Sequence, residues 1–211
     1  MAGDSFLFYL VALPAVLLLG LSKGGFAGIS VLALPLMALV IPPIEAAAII
    51  LPILMVQDTI SVWAYRNSYN TSVVAVLLAG CLGGIVLGAI LASRVSNALI
   101  ELIVGLVSAG FVLNTWLQKS SKPDQPKPLR VGPGLFWGLC AGFTSFIANS
   151  GAPPFQVYVL PLKLPPQIFA GTATMFFAIT NIIKMITFYF LGQLNIKDLE
   201  TSAILIAAGS A

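Results

Sequence analysis

The sequence predicts an all-α, polytopic integral membrane protein of about 7–9 membrane segments, built as two inverted-topology repeats with broken or re-entrant helices. Three observations predict it. Of 211 residues, 59% are hydrophobic, while only 10 are Lys or Arg and 7 are Asp or Glu; a soluble domain of this length carries roughly 50 charges. The polar groups needed to cover a water-facing exterior are absent, so the exterior faces lipid. Apolar runs recur along the chain, many of them close to the roughly 20 residues that span a hydrocarbon core. Finally, one order of Gly and Pro motifs occurs on both sides of a polar linker.

The runs are Phe6 to Leu21, Phe26 to Ile41, Ile44 to Tyr65, Ser72 to Ala92 and Ala98 to Leu117. The first ten residues hold Asp4 and no Lys or Arg, so they lack the positive start of a cleavable signal, and the first run is expected to stay. KSSKPDQPKPLR, Lys119 to Arg130, is a linker composition that cannot bury anything. It divides a first repeat (1–118) from a second (132–211) across the linker 119–131. The later runs are Gly132 to Ile147, Ala152 to Leu162, Ile168 to Leu191 and a short one from Thr201 to Ala211 that the sequence cuts off.

The repeat is read from GGFAGISVLALPL and SGAPPFQVYVLPL, each a Gly followed by Leu-Pro-Leu, so Gly25 matches Gly151. Pro42-Pro43 then fall on Pro165-Pro166, and Gln57-Asp58 on Thr180-Asn181. The linker carries four of the basic residues, which places it in the cytoplasm, with Arg66 and Lys163 on the same side and Arg94 and Lys197 opposite. Five runs precede the linker, an odd number, so the second copy enters upside down. Trp63 falls near a segment end, where interfacial aromatics are expected.

Leu21-Ser22-Lys23-Gly24-Gly25 joins two runs that are each short for a full crossing. Gly24 and Gly25 let the second run begin as a half-helix with free N–H groups, an end that attracts anions, and Lys23 adds a full charge beside it. The plainer alternative makes Lys23 an ordinary loop lysine between two spans. Asn149-Ser150-Gly151 is the matching opening of the second half, with Ser150 as the expected helix cap and the following prolines suited to a first turn; its plainer alternative is a surface turn. With the halves inverted, both half-helix ends point at one spot.

Asp58 lies deep in its run and needs a cation, a donor network or a proton; it is read as pairing with Lys23, as carrying a coupling proton, or as a protonated acid in a packing hydrogen bond. Gln57, Thr180 and Asn181 share its level and complete the expected substrate site. Lys184 is expected to snorkel outward and is not counted as a ligand. Gly80, Gly84 and Gly88, and Gly134, Gly138 and Gly142, form two small-residue ladders that either hold the repeats together or make a homodimer seam. Asp4, Asp124, Asp198 and Glu200 are read as loop residues. The absence of His removes the commonest metal ligand and general base, and no metal or cofactor is expected. Nucleic-acid binding has no basic footprint.

GLSKGGFAG, the paired LPL…PP motifs and ANSGAPPF together resemble the sulfite exporter TauE/SafE family over about Gly20 to Asn195. The resemblance implies two related halves, a polar linker, and movement of sulfite, organosulfonates or related anions across a bacterial inner membrane. It carries Lys23, Gly24 and Gly25, and Asn149, Ser150 and Gly151, as the site. An alternative is a transporter of another small metabolite with Asp58 as its ligand. A membrane-embedded enzyme is disfavoured, because no paired carboxylate is evident at the midplane and Ser22 and Lys23 do not share a helix face.

Overall fold

A computed structural model describes residues 6–23, 29–92, 125–194 and 196–209, with isolated positions between 94 and 113. Every regular element among the described residues is helical. The order is α1 (Phe6–Lys23), α2 (Ala33–Ala38, entered through a 3-10 turn at Ile29–Leu32), α3 (Pro43–Tyr65), α4 (Thr71–Ala92), α5 (Val131–Ala148), α6 (Ala152–Val159, continued by a 3-10 turn at Leu160–Leu162), α7 (Pro166–Phe190) and α8 (Ile196–Gly209). Of these, α3, α4, α5 and α7 are long and apolar enough to cross a bilayer. The expected run Ala98 to Leu117 lies outside the described residues apart from single positions.

Local chemistry sets the helix boundaries. Pro42 and Pro165 sit in the extended region at φ −55°, ψ 141° and φ −51°, ψ 143°, and Pro43 and Pro166 occupy the first helical position, where a missing N–H costs nothing. In each case the carbonyl before the helix takes the first turn's amide, Ala46 N–H to Pro42 O at 2.9 Å and Phe169 N–H to Pro165 O at 2.8 Å. Inside the helices the hydroxyls of Thr59, Thr144 and Thr187 donate to carbonyls one turn back, which leaves no stray donor for lipid. One boundary differs from the sequence reading. Asp198 and Glu200, read as loop residues, lie in α8, where Asp198 in the first turn suits the positive helix end. The Ser202 hydroxyl, one turn on, lies 2.8 Å from Ile49 O and so ties α8 to α3.

The two glycine ladders close on each other. A Cβ at Gly84 would stand 2.1 Å from Leu139 O, and one at Gly138 would stand 2.2 Å from Leu77 O, so α4 and α5 approach backbone to backbone across the linker. Both faces are therefore consumed within one chain, and the homodimer seam expected through Gly80/Gly84/Gly88 or Gly134/Gly138/Gly142 is not how they are used here.

The α5–α6 pair is a hairpin. Tyr158 on α6 donates to Arg130 O at the start of α5 at 2.9 Å, and the Lys127 amide donates to Pro161 O at 2.9 Å, so both ends of the hairpin lie on the linker side. At its other end Gly151 packs against Ala141 and Ser145. By helix rise these stand about 15 and 21 Å from Val131, so α6 begins about two thirds of the way along α5. Residues 29–38 likewise pack against α1. Helix α3 runs antiparallel to α7: a Cβ at Gly171 would meet Ser68 O at 1.8 Å, and the Asn70 amide donates to Thr172 Oγ1 at 2.9 Å.

Candidate functional site: a helix break beside a buried lysine

Helix α5 ends at Asn149, a left-handed residue at φ 48°, ψ 26°, a conformation that Asn tolerates better than most side chains. The amides of Asn149 and Ser150 turn back onto the carbonyls of Ser145 and Thr144, both at 3.1 Å. That reversal corrects the reading of Ser150 as the cap. Drawn back onto α5, Ser150 stands one residue short, and Gly151 takes the N-cap position with no side-chain cap bond. The Ser150 hydroxyl is fully buried and has no partner among the described residues. Because Pro153 and Pro154 have no N–H, the amides that the start of α6 can offer are those of Gly151 and Ala152.

Lys184 is the residue that sequence reasoning misplaced. It does not snorkel outward: it is 1% exposed, turned from α7 into the interior, where its Nζ donates to Asn149 Oδ1 and lies 3.5 Å from Ser145 Oγ. A lysine at a helix centre costs roughly 2.5–3.5 kcal/mol on insertion scales, and both of these acceptors are neutral. Three residues before it on the same face, Asn181 Nδ2 donates to Asp58 Oδ2 at 2.6 Å, linking α7 to α3. Asp58 is 3% exposed and accepts this amide's N–H; the expected pairing with Lys23 falls on a side chain outside the described residues. Thr180 faces a different neighbour, its hydroxyl bonded to Phe176 O at 2.7 Å and lying 3.5 Å from Cys81 Sγ on α4.

The expected site residues therefore fall into distinct places. Asn149, Ser150 and Gly151 form the helix break, with Ser145 and Lys184 against it. Asp58 and Asn181 form a neighbouring pair, one turn away along α7. Gln57 is half-buried and turned toward α1, its Nε2 4.0 Å from where a Cβ at Gly20 would stand. Lys23 is the last residue of α1; its side chain, and Gly24 and Gly25, lie outside the described residues.

Helices long and apolar enough to cross a bilayer, a short helix that starts part-way along one of them, and charged and amide side chains gathered at that break fit a polytopic membrane transport protein. The chain belongs to the sulfite exporter TauE/SafE family of membrane transporters, whose profile matches residues 12–211. No curated protein and no solved structure matches it.

Proposed function

We propose that the chain is a secondary transporter that exports small sulfur-containing anions, sulfite or organosulfonates, across a bacterial inner membrane by alternating access. The observation that carries this reading is the family match over residues 12–211. The site is the helix break at Asn149, Ser150 and Gly151, joined by its first-half counterpart at Lys23, Gly24 and Gly25. The start of α6 favours negative charge there, through a helix-end partial charge of about +0.5.

Inverted repeats supply the two states. A residue can bond to its own counterpart only where both lie on the axis that relates the copies, and Asp58 and Asn181 are such counterparts. They are 123 positions apart, the same separation as Pro42 and Pro165. The matched torsions before α3 and α7, and the antiparallel crossing of these two helices, support the same symmetry. The remaining packing follows it: α4 lies on α5 and α7, as α8 lies on α1 and α3. Rocking one repeat against the other about the Asp58–Asn181 crossing would open the break to each side in turn, with Asp58 carrying the coupling proton and linker 119–131 in the cytoplasm.

Flux of radiolabelled sulfite and of taurine from proteoliposomes, with and without a proton gradient, tests the proposal. The wild type should move at least one of them faster than protein-free vesicles, and Asp58→Asn should remove the stimulation by the gradient. No flux of either anion above the protein-free level sinks the reading.

A further inference from the structure

An amide and an ammonium that meet inside a protein constrain each other. Lys184 can only donate, so the oxygen of Asn149 faces it, and the Asn149 Nδ2 donor is left over. That nitrogen is buried and has no partner among the described residues, and the same holds for the adjoining Ser150 hydroxyl. The ammonium has three N–H donors, of which Asn149 and Ser145 occupy two. Buried donors without acceptors are costly, and here an amide, a hydroxyl and a cation converge on one turn. The ligand that satisfies all of them is an anion with several oxygens.

We propose that Lys184, Asn149 and Ser150 form an oxyanion site that reads an –SO3 head group, with Lys184 as its cationic ligand. Three side-chain groups can each meet one oxygen of the pyramidal head of sulfite or a sulfonate; a carboxylate presents two oxygens in one plane, so two of the groups must share an oxygen. Ser145 holds the Lys184 ammonium toward the turn, and Gly151 keeps the turn against Ser145, where a Cβ would stand 3.0 Å from the Ser145 side chain. The assignment rests on the transporter reading for its substrate class, and on the buried donors for its residues.

The test is anion-induced thermal stabilisation of the purified full chain in detergent, using sulfite, taurine and β-alanine, which carries a carboxylate in place of the taurine sulfonate. Wild type should be stabilised by sulfite or taurine at concentrations about tenfold below those needed for β-alanine, about 1.4 kcal/mol for the poorer fit of a planar head to three donor groups. Ser150→Ala decides the site, because it removes a buried hydroxyl that has no described partner. Without ligand its melting temperature should be unchanged or higher, while its preference for taurine over β-alanine shrinks. Lys184→Gln should lose the response to all three anions, and Lys184→Arg should keep part of it. If Lys184→Gln does not fold, Ser150→Ala stands as the deciding variant. Full retention of the sulfite and taurine responses in Ser150→Ala overturns the proposal, as does a wild type that none of the three anions stabilises. A wild type that shows the Ser150-dependent response yet carries no flux upholds the site and overturns the transporter.

Discussion

At the scale of single residues, the Asp58–Asn181 bond lets a symmetry argument be tested by chemistry. Asp58 is a buried carboxylate whose amide donor sits at 2.6 Å on the opposing helix, at the position that the proposed repeat register makes its counterpart. If the two positions are equivalent, the acid and the amide should be exchangeable. Asn181→Asp alone sets two acids face to face, and we expect it to cost about 1–3 kcal/mol of stability. Adding Asp58→Asn to that variant restores one acid and one amide and should recover most of the loss in a detergent denaturation series. A double variant as unstable as Asn181→Asp would show that the surroundings distinguish the positions. The repeat register aligned Asp58 with Asn181 without showing that the two bond, and it hid Lys184. In a helix that is apolar on nearly every side, hydrophobic periodicity cannot say which face is interior. The signal that was available is the spacing of Thr180, Asn181 and Lys184, which puts the lysine on the face that already carries the counterpart of Asp58.

At the scale of elements, the α4–α5 seam was read from glycine spacing and the α6 break from run length. Glycine at every fourth position announces a close helix contact, but composition alone does not say with what; the partner ladder was visible in the sequence, and the choice between intrachain and interchain packing was not. Gly84 shows the consequence. An added methyl would sit 2.1 Å from Leu139 O and 2.6 Å from the Phe143 amide nitrogen, both backbone atoms that cannot swing aside. Gly84→Ala should therefore lower stability by at least the ~1–3 kcal/mol typical of overpacking. Gly132→Ala, where a Cβ meets nothing within 4 Å, should be neutral or slightly stabilising because it stiffens the unfolded chain. Equal melting temperatures for the two variants would contradict the seam. The hairpin was legible because an 11-residue run is too short to cross. What escaped was the cap, since the return of the Ser150 amide to α5 depends on the left-handed turn at Asn149, which the one-dimensional pattern Asn-Ser-Gly does not encode.

At the scale of the whole molecule, the contacts sort the basic residues by side and so predict an orientation. The Lys127 amide bonds to Pro161 O, which places the linker end and the Lys163 turn together. Asn70 bonds to Thr172 near the start of α7, and that brings the α3–α4 turn, with Arg66, to the same side. Arg66 lies over the exposed Trp63 ring with its guanidinium 5.1 Å from the centroid, a pairing suited to an interface. Arg66, Lys127, Arg130 and Lys163 are thus gathered at one end, and the positive-inside rule predicts that this end faces the cytoplasm. Helix α7 is long and apolar enough to cross, which predicts that Lys197 at the start of α8 emerges on the opposite side. In a background with Cys81 and Cys140 replaced by alanine, Lys163→Cys and Lys127→Cys should react with a membrane-impermeant maleimide only in inside-out vesicles, and Lys197→Cys only in right-side-out cells. Lys163→Cys and Lys197→Cys labelled from one side would mean that α7 does not cross. The second copy could then not be inverted relative to the first, and the rocking of two opposed repeats about the Asp58–Asn181 crossing would lose its basis, whatever anion the helix break binds.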